Sequence, residues 1–143
     1  MDEKIYKKLF KLTNKCIKQQ EFPVSAIIYK DNKIISWGRN SRNKSNYTID
    51  HAEVQAISKA NKKLKTWRLN DCKMIVTLEP CDMCKSVIKE ARLNEVIYIV
   101  KRYKYKKQND NVVFNLDEKY NSEQKKYIDD YICKLNNFFK DKR

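Results

Sequence analysis

Cys72-Lys73-Met74-Ile75-Val76-Thr77-Leu78-Glu79-Pro80-Cys81-Asp82-Met83-Cys84 is the stretch on which the fold turns. Residues 72–78 form a short apolar run of strand length, rich in β-branched side chains. Pro80 cannot continue a strand but suits the first turn of a helix. From about Asp82 to Arg92 the period changes to a helical one, with Met83, Val87, Ile88 and Ala91 on the inner face. Glu95 to Val100 then reads as a strand again, and a strand–helix–strand unit implies a parallel pair.

Upstream, His51 through Leu64 reads as a helix carrying Ala52, Val54, Ala56, Ile57 and Ala60. Asp50 is its expected N-cap, and Glu53 completes a capping-box-like pair. Val24 to Tyr29 and Lys33 to Trp37 are β-rich runs joined by Asp31-Asn32, an expected hairpin turn. Residues 2–20 form an amphipathic helix with Ile5, Leu9, Leu12, Cys16 and Ile17 on one stripe, ended by Phe22-Pro23. Gly38 to Asp50 is polar and aperiodic, a loop beside the site. Downstream, Val112-Val113-Phe114 is a short fifth strand. Ser122 to Lys140 is a final helix, with Tyr127, Ile128, Tyr131, Ile132, Leu135, Phe138 and Phe139 facing in. The expectation is an α/β domain over residues 1–143: a central mixed sheet of about five strands with helices on both faces, three layers in all.

Composition narrows the function classes. No apolar run approaches the ~20 residues that span a bilayer, and the first residues carry no signal-peptide pattern, so a cytoplasmic location without membrane attachment is expected. Five cysteines at uneven spacing make a poor disulfide framework. Cys16, Cys72 and Cys133 lie among apolar neighbours and read as small buried hydrophobes. The formal net charge of +14 suits an anionic partner such as RNA. A chain rich in Lys, Asn, Ile and Tyr with one Gly is also what AT-rich coding DNA produces, and only six of the 32 basic residues are Arg. Lys101, Arg102, Lys104, Lys106 and Lys107 surround Tyr103 and Tyr105. That segment reads equally as a basic stacking surface for single-stranded RNA or as a solvated strand end.

The chemistry concentrates in His51-Ala52-Glu53 and Pro80-Cys81-Asp82-Met83-Cys84. His51 is the one histidine of the chain. Cys81 and Cys84, at i and i+3, share one side of a helix's first turn, where the dipole stabilises thiolates. By itself a C-x-x-C is either a redox pair or a metal site. With an imidazole at the start of another helix, it offers three ligands to one zinc. A catalytic zinc needs no more than three, because water takes the fourth position. Glu53, two residues beyond His51, points away from the ligand direction. It is either a proton shuttle over the metal or only a helix cap.

The pattern H-x-E…P-C-x-x-C resembles the zinc-deaminase signature. More closely, the chain is similar to the bacterial tRNA-specific adenosine deaminases, through Pro23-Val24, Gly38, Asn40, His51-Ala52-Glu53, Trp67-Arg68-Leu69 and Val76-Thr77-Leu78-Glu79-Pro80-Cys81-x-Met83-Cys84. Phe138-Phe139 resembles that family's final helix. The resemblance implies a cytidine-deaminase-like fold and one zinc per subunit on His51, Cys81 and Cys84, with Glu53 as the catalytic proton shuttle. It implies substrate contacts from Asn40, Val24 and Ala52, with the N–H groups of Ala52 and Cys81 near the base. It further implies wobble adenosine 34 in a tRNA anticodon arm as substrate, and a homodimer. Two departures fall on substrate contacts and leave the zinc residues untouched: Ser25 follows Pro-Val, and Ile99-Val100-Lys101-Arg102 stands where the family reads Gly-Ala-Arg/Lys-Asp, an acidic residue that helps hold the flanking nucleotide.

Two rivals remain at this level. One is a deaminase of a small substrate such as cytosine, guanine or a cytidine nucleotide. Pro-Cys-Asp-Met-Cys also occurs in free-base cytosine deaminases, whereas Leu-Glu-Pro-Cys favours the adenosine and guanine branch. The other is a non-catalytic zinc module that binds RNA, which requires Cys16, Cys72 or Cys133 as a fourth ligand.

Overall fold

The strands at the centre of the molecule are those whose residues are apolar on both faces. The structure, a computed structural model, describes residues 2–102 and 113–141. Five strands, β1 (Ser25–Lys30), β2 (Lys33–Arg39), β3 (Lys73–Leu78), β4 (Glu95–Val100) and β5 (Val113–Leu116), form one sheet in the order β2-β1-β3-β4-β5. β1 runs antiparallel to both β2 and β3, while β3, β4 and β5 are parallel. Ile27, Ile28, Ile75 and Val76 are fully enclosed on β1 and β3, each burial contributing about 1.5–3 kcal/mol. The hairpin turn has Asp31 at φ 51° and Asn32 at φ 63°. Positive φ at both positions is the type I′ geometry that matches strand twist, and short polar side chains tolerate it.

Helices cover both faces. α1 (Glu3–Lys18) and α5 (Ser122–Asp141) pack together on one side, and α3 (Ala52–Leu64) and α4 (Asp82–Ala91) on the other, giving the three layers expected. α1 buries Ile5, Leu9, Leu12 and Cys16. It stops before Pro23 can act: Gln20 is left-handed, with its N–H on Ile17 O at 3.1 Å and Glu21 N–H on Cys16 O at 2.8 Å. That Schellman closure corrects the assignment of the helix end to Phe22-Pro23.

Four further expectations change. Gly38 is a strand residue of β2 rather than part of a loop, and the segment after it contains a short helix, α2 (Arg42–Ser45). The N-cap of α3 is His51, not Asp50, so Glu53 falls at the second helical position and makes no capping box. The Asp50 carboxylate instead accepts from Gln55 Nε2 at 2.7 Å. Cys133 is exposed, as is Ile132 at the edge of the inner stripe of α5. Cys16 and Cys72 are buried as expected. Tyr103, Tyr105 and Lys104, Lys106 and Lys107 lie outside the described residues, as does the side chain of Phe139.

Gly38 sets the distance between β2 and α3. A Cβ at this position would fall on Ala52 O and within 2.9 Å of Gln55 Cβ and Ala56 N. These are backbone and near-backbone atoms of the first turn of α3, which cannot swing away. Gly38→Ala is therefore expected to cost about 1–3 kcal/mol in urea denaturation and to weaken metal retention, because the displaced turn carries His51. An unchanged urea midpoint with full metal content would contradict this.

Candidate active site

β3 ends at Leu78, and the chain turns through Glu79-Pro80-Cys81 into α4 at the carboxyl edge of the parallel strands, where open α/β sheets place their ligands. α3 begins at the same edge. His51 is the N-cap of α3 (φ −86°, ψ 155°) and Cys81 the N-cap of α4 (φ −70°, ψ 171°). Both have the extended backbone of a cap, yet neither side chain makes a capping hydrogen bond. Both turn instead towards Cys84, in the first turn of α4. His51 Nδ1 lies 3.4 Å from Cys84 Sγ and 3.7 Å from Cys81 Sγ, and all three donor atoms fall within 4.8 Å of one another.

That spacing can be tested against an ion. Zn–S bonds of ~2.3 Å and Zn–N bonds of ~2.0–2.1 Å place a tetrahedral N–S pair about 3.5–3.6 Å apart, so edges of 3.4 and 3.7 Å bracket that value. The two imidazole–sulfur edges match this without rearrangement, so the trio fits zinc. Among the described residues no fourth His, Cys, Asp or Glu joins the cluster. Cys16 Sγ is directed to the carbonyls of Val24 (3.5 Å) and Asn40 (3.8 Å), and burial raises its pKa to about 11. Cys72 precedes β3, at the opposite end from the site, and Cys133 is exposed on α5.

Without a metal the two sulfurs share one proton between them. Cys81 is pulled down to about 3, chiefly by a hydrogen bond from the Cys84 thiol and further by His51. Cys84, the donor of that bond, is pushed up. A dication held between them binds both as thiolates.

Glu53 is 3% exposed, at the second position of α3 with its carboxyl beside Cys84. Burial raises its pKa, and the negative charge at Cys81 adds to that. His51, Cys81 and Glu53 line a cavity of about 650 Å³, together with Val24, Asn40, Ala52, Phe22 and Phe138, and Cys84 is buried behind them. His51, Glu53, Cys81, Cys84, Asn40, Ala52 and Val24 are thus brought to one place, whereas Cys72 and Cys133 lie elsewhere. Asn40 Oδ1 accepts the N–H of Arg42 at 3.1 Å, so the end of its amide available to a ligand is the Nδ2 donor. Val24 is held by its neighbour, since the Tyr131 hydroxyl donates to Pro23 O at 2.8 Å.

A family model for the cytidine and deoxycytidylate deaminase zinc-binding region matches residues 1–100. The chain belongs to this family. It is 39% identical over 107 residues to a tRNA-specific adenosine deaminase of Streptococcus pyogenes, a match covering 73% of this chain and 67% of that protein. Across the streptococcal relatives the match spans 63–67% of their length. Among solved structures, a guanine deaminase of Bacillus subtilis is 26% identical with a TM-score of 0.65, covering 92% of this chain and 94% of that one. A structure from work on A-to-I editing by tRNA:A34 deaminases has a TM-score of 0.67 at 22% identity, covering 77% and 97%, which shows the shared fold.

Sequence reading missed the groups that brace the site. Glu79 is 5% exposed and accepts from Lys85 Nζ at 3.1 Å and from the N–H of Arg102 at 3.3 Å, while its carbonyl accepts from Arg102 Nε at 3.1 Å. Glu21, 2% exposed, accepts the N–H groups of Asn43 (3.2 Å) and Lys44 (3.1 Å) and so pins α2 at the cavity rim. No spacing rule marks either residue, because both partner across the fold. Glu79→Ala would remove the buried carboxylate that accepts from Lys85 Nζ and the N–H of Arg102, with an expected loss of about 3–5 kcal/mol; a loss under ~1 kcal/mol in urea would show the pair to be solvated.

Proposed function

We propose that this chain hydrolyses adenosine to inosine at wobble position 34 of a tRNA, with residues 1–143 acting as one catalytic domain. The observation that carries the reaction is the buried Glu53 carboxyl set beside three convergent metal donors at an open cavity with ample room for a nucleobase. The similarity to the streptococcal tRNA-specific adenosine deaminase supports the substrate.

Zinc held by His51, Cys81 and Cys84 supplies Lewis acidity, which makes a water nucleophile available at neutral pH. Glu53 takes the proton of the attacking water. It delivers that proton to the ring nitrogen next to the reacting carbon, then carries the remaining proton of the added hydroxyl to the departing amine, so that ammonia leaves and a carbonyl replaces it. Burial suits the carboxyl to both halves of this work, since it brings its pKa towards the range where a proton is both taken and given. The base reaches the cavity only if flipped out of its stack. Val24 lies against it, Asn40 Nδ2 and the N–H groups of Ala52 and Cys81 donate to it, and the Phe22 and Phe138 rings, packed edge-to-face at 5.5 Å, border the entrance. The chain works as a homodimer in the cytoplasm; no helix among the described residues is long and apolar enough to cross a membrane.

A second reading, deamination of free guanine, is favoured by the 26% identity to the Bacillus guanine deaminase over 92% of this chain. One set of assays separates the two. The expected outcome is inosine in an anticodon stem-loop carrying A34, with no ammonia released from guanine, cytosine or cytidine; ammonia from a free base alone would overturn the tRNA reading. In the same assay Glu53→Ala should keep one zinc per chain by atomic absorption and lose turnover by at least ~10²–10⁴-fold. Retained turnover would remove Glu53 from the mechanism. Light scattering should give twice the 17.2 kDa chain mass, and a monomer would refute the assembly.

A further inference from the structure

The cavity mouth carries two guanidinium groups that the deamination chemistry does not use. Arg42 lies on one part of the rim and Arg102 on another. Each is held by backbone bonds. The N–H of Arg42 is on Asn40 Oδ1 at 3.1 Å, and the next two N–H groups are on Glu21, so a four-residue helix that would not stand alone is fixed from below. The N–H and Nε of Arg102 are both on Glu79, whose carboxylate is shared with Lys85. Among the described residues, no carboxylate lies within ion-pairing distance of either guanidinium.

Composition sharpens the point. Of 32 basic residues only six are Arg, and two of those six line this one cavity. A flipped base is uncharged and gives no reason for two cations at its entrance. The phosphates on either side of it do, and a planar fork of donors is the group that meets them bidentately.

His51 adds an independent constraint. Its Nδ1 is turned to the two sulfurs, and its Nε2 lies 3.3 Å from Arg42 Nη1. A ring that gives its Nδ1 lone pair to a metal carries its proton on Nε2, and a guanidinium is donor-only. With a metal on Nδ1 two donors would face each other, an arrangement that an anionic oxygen satisfies better than a neutral base atom. The usual partner of a ligating imidazole is likewise an acceptor.

We propose that Arg42 and Arg102 bind the phosphodiesters flanking the nucleotide that enters the cavity, with His51 Nε2–H donating to the same phosphate as Arg42. The proposal rests on the polynucleotide reading given above and extends it to the strand's backbone. The phosphates carry position and not sequence. These two contacts thus fix the register of the strand while the cavity reads the base.

The test uses the zinc-loaded full chain in a Glu53→Ala background, with a fluorescent anticodon stem-loop RNA titrated at several KCl concentrations. Arg42→Met and Arg102→Met should each weaken binding about tenfold and flatten the plot of log affinity against log salt by about 0.7, one phosphate contact each. Arg42→Lys should keep the slope. Replacing the two flanking phosphates by uncharged methylphosphonates should weaken the parent but leave the Arg42→Met/Arg102→Met double variant unmoved. Zinc content and thermal midpoint, read on each variant, report folding. A double variant that still responds to the neutral linkages, an unchanged salt slope, or no binding of the RNA by the parent would each overturn the proposal. Inosine formation by the wild-type chain in the same hairpin is scored separately, so phosphate contacts without editing would fault the assigned reaction and not the arginines.

Discussion

Two helices of this protein begin with a residue that does not cap them, and the rest of the structure accommodates that fact. At the starts of α3 and α4 the positions that Ser, Thr, Asp or Asn normally fill are taken by His51 and Cys81. Their side chains leave the orphan N–H groups of their own helices and turn to each other. Each helix forgoes a cap worth about 1 kcal/mol. In return, two positive helix ends and three soft or borderline donors converge on one point at the edge of the sheet. Convergence requires α3 to lie almost on top of β2, and it does so because the strand has Gly38 where any other side chain would strike Ala52 and Gln55.

Buried charge is the second consequence. Glu53 and Glu79 are both nearly inaccessible, but their circumstances are opposite. Glu79 has a buried ammonium and an amide N–H as partners, so its charge is compensated and its work is to join the ends of β3 and β4 to the turn that carries Cys81. Glu53 has no such cation bonded to it and is driven towards the protonated form by its enclosure. A carboxyl that is awkward to ionise in the folded chain is one that can pick up and release a proton during a reaction. One of these acids keeps the floor rigid; the other is kept reactive by the same low-dielectric surroundings.

Around this floor the rim is assembled from segments far apart in sequence. Tyr131 on α5 grips Pro23, Glu21 grips α2, and Phe138 packs edge-on to Phe22. The rim is positively charged where the floor is acidic and thiol-bearing. That polarity matches a substrate with a neutral base at its centre and anionic linkages on either side.

What could be read along the chain was whatever depends on neighbours a few residues away. The strand of residues 72–78, the helix after Pro80 and the hairpin at Asp31-Asn32 follow from period and spacing, because those are local in origin; the grouping of His51 with Cys81 and Cys84 was implied by two short motifs and the resemblance they carry. The ends were less legible: α1 is closed by a left-handed Gln20 and not by Pro23, and α3 starts one residue later than Asp50 suggests, with His51 in the extended backbone of the cap and the Asp50 carboxylate taken by Gln55. Only the tertiary structure decided the roles of Gly38, Glu21, Glu79, Lys85, Arg42 and Arg102. Each acts on a partner reached by folding rather than by spacing; Gly38, Glu79 and Arg102 stood out in the sequence only through the family resemblance, and Glu21, Lys85 and Arg42 not at all. Chemistry confined to short motifs was written in the sequence; the shape and charge of the entrance to it came from contacts across the fold.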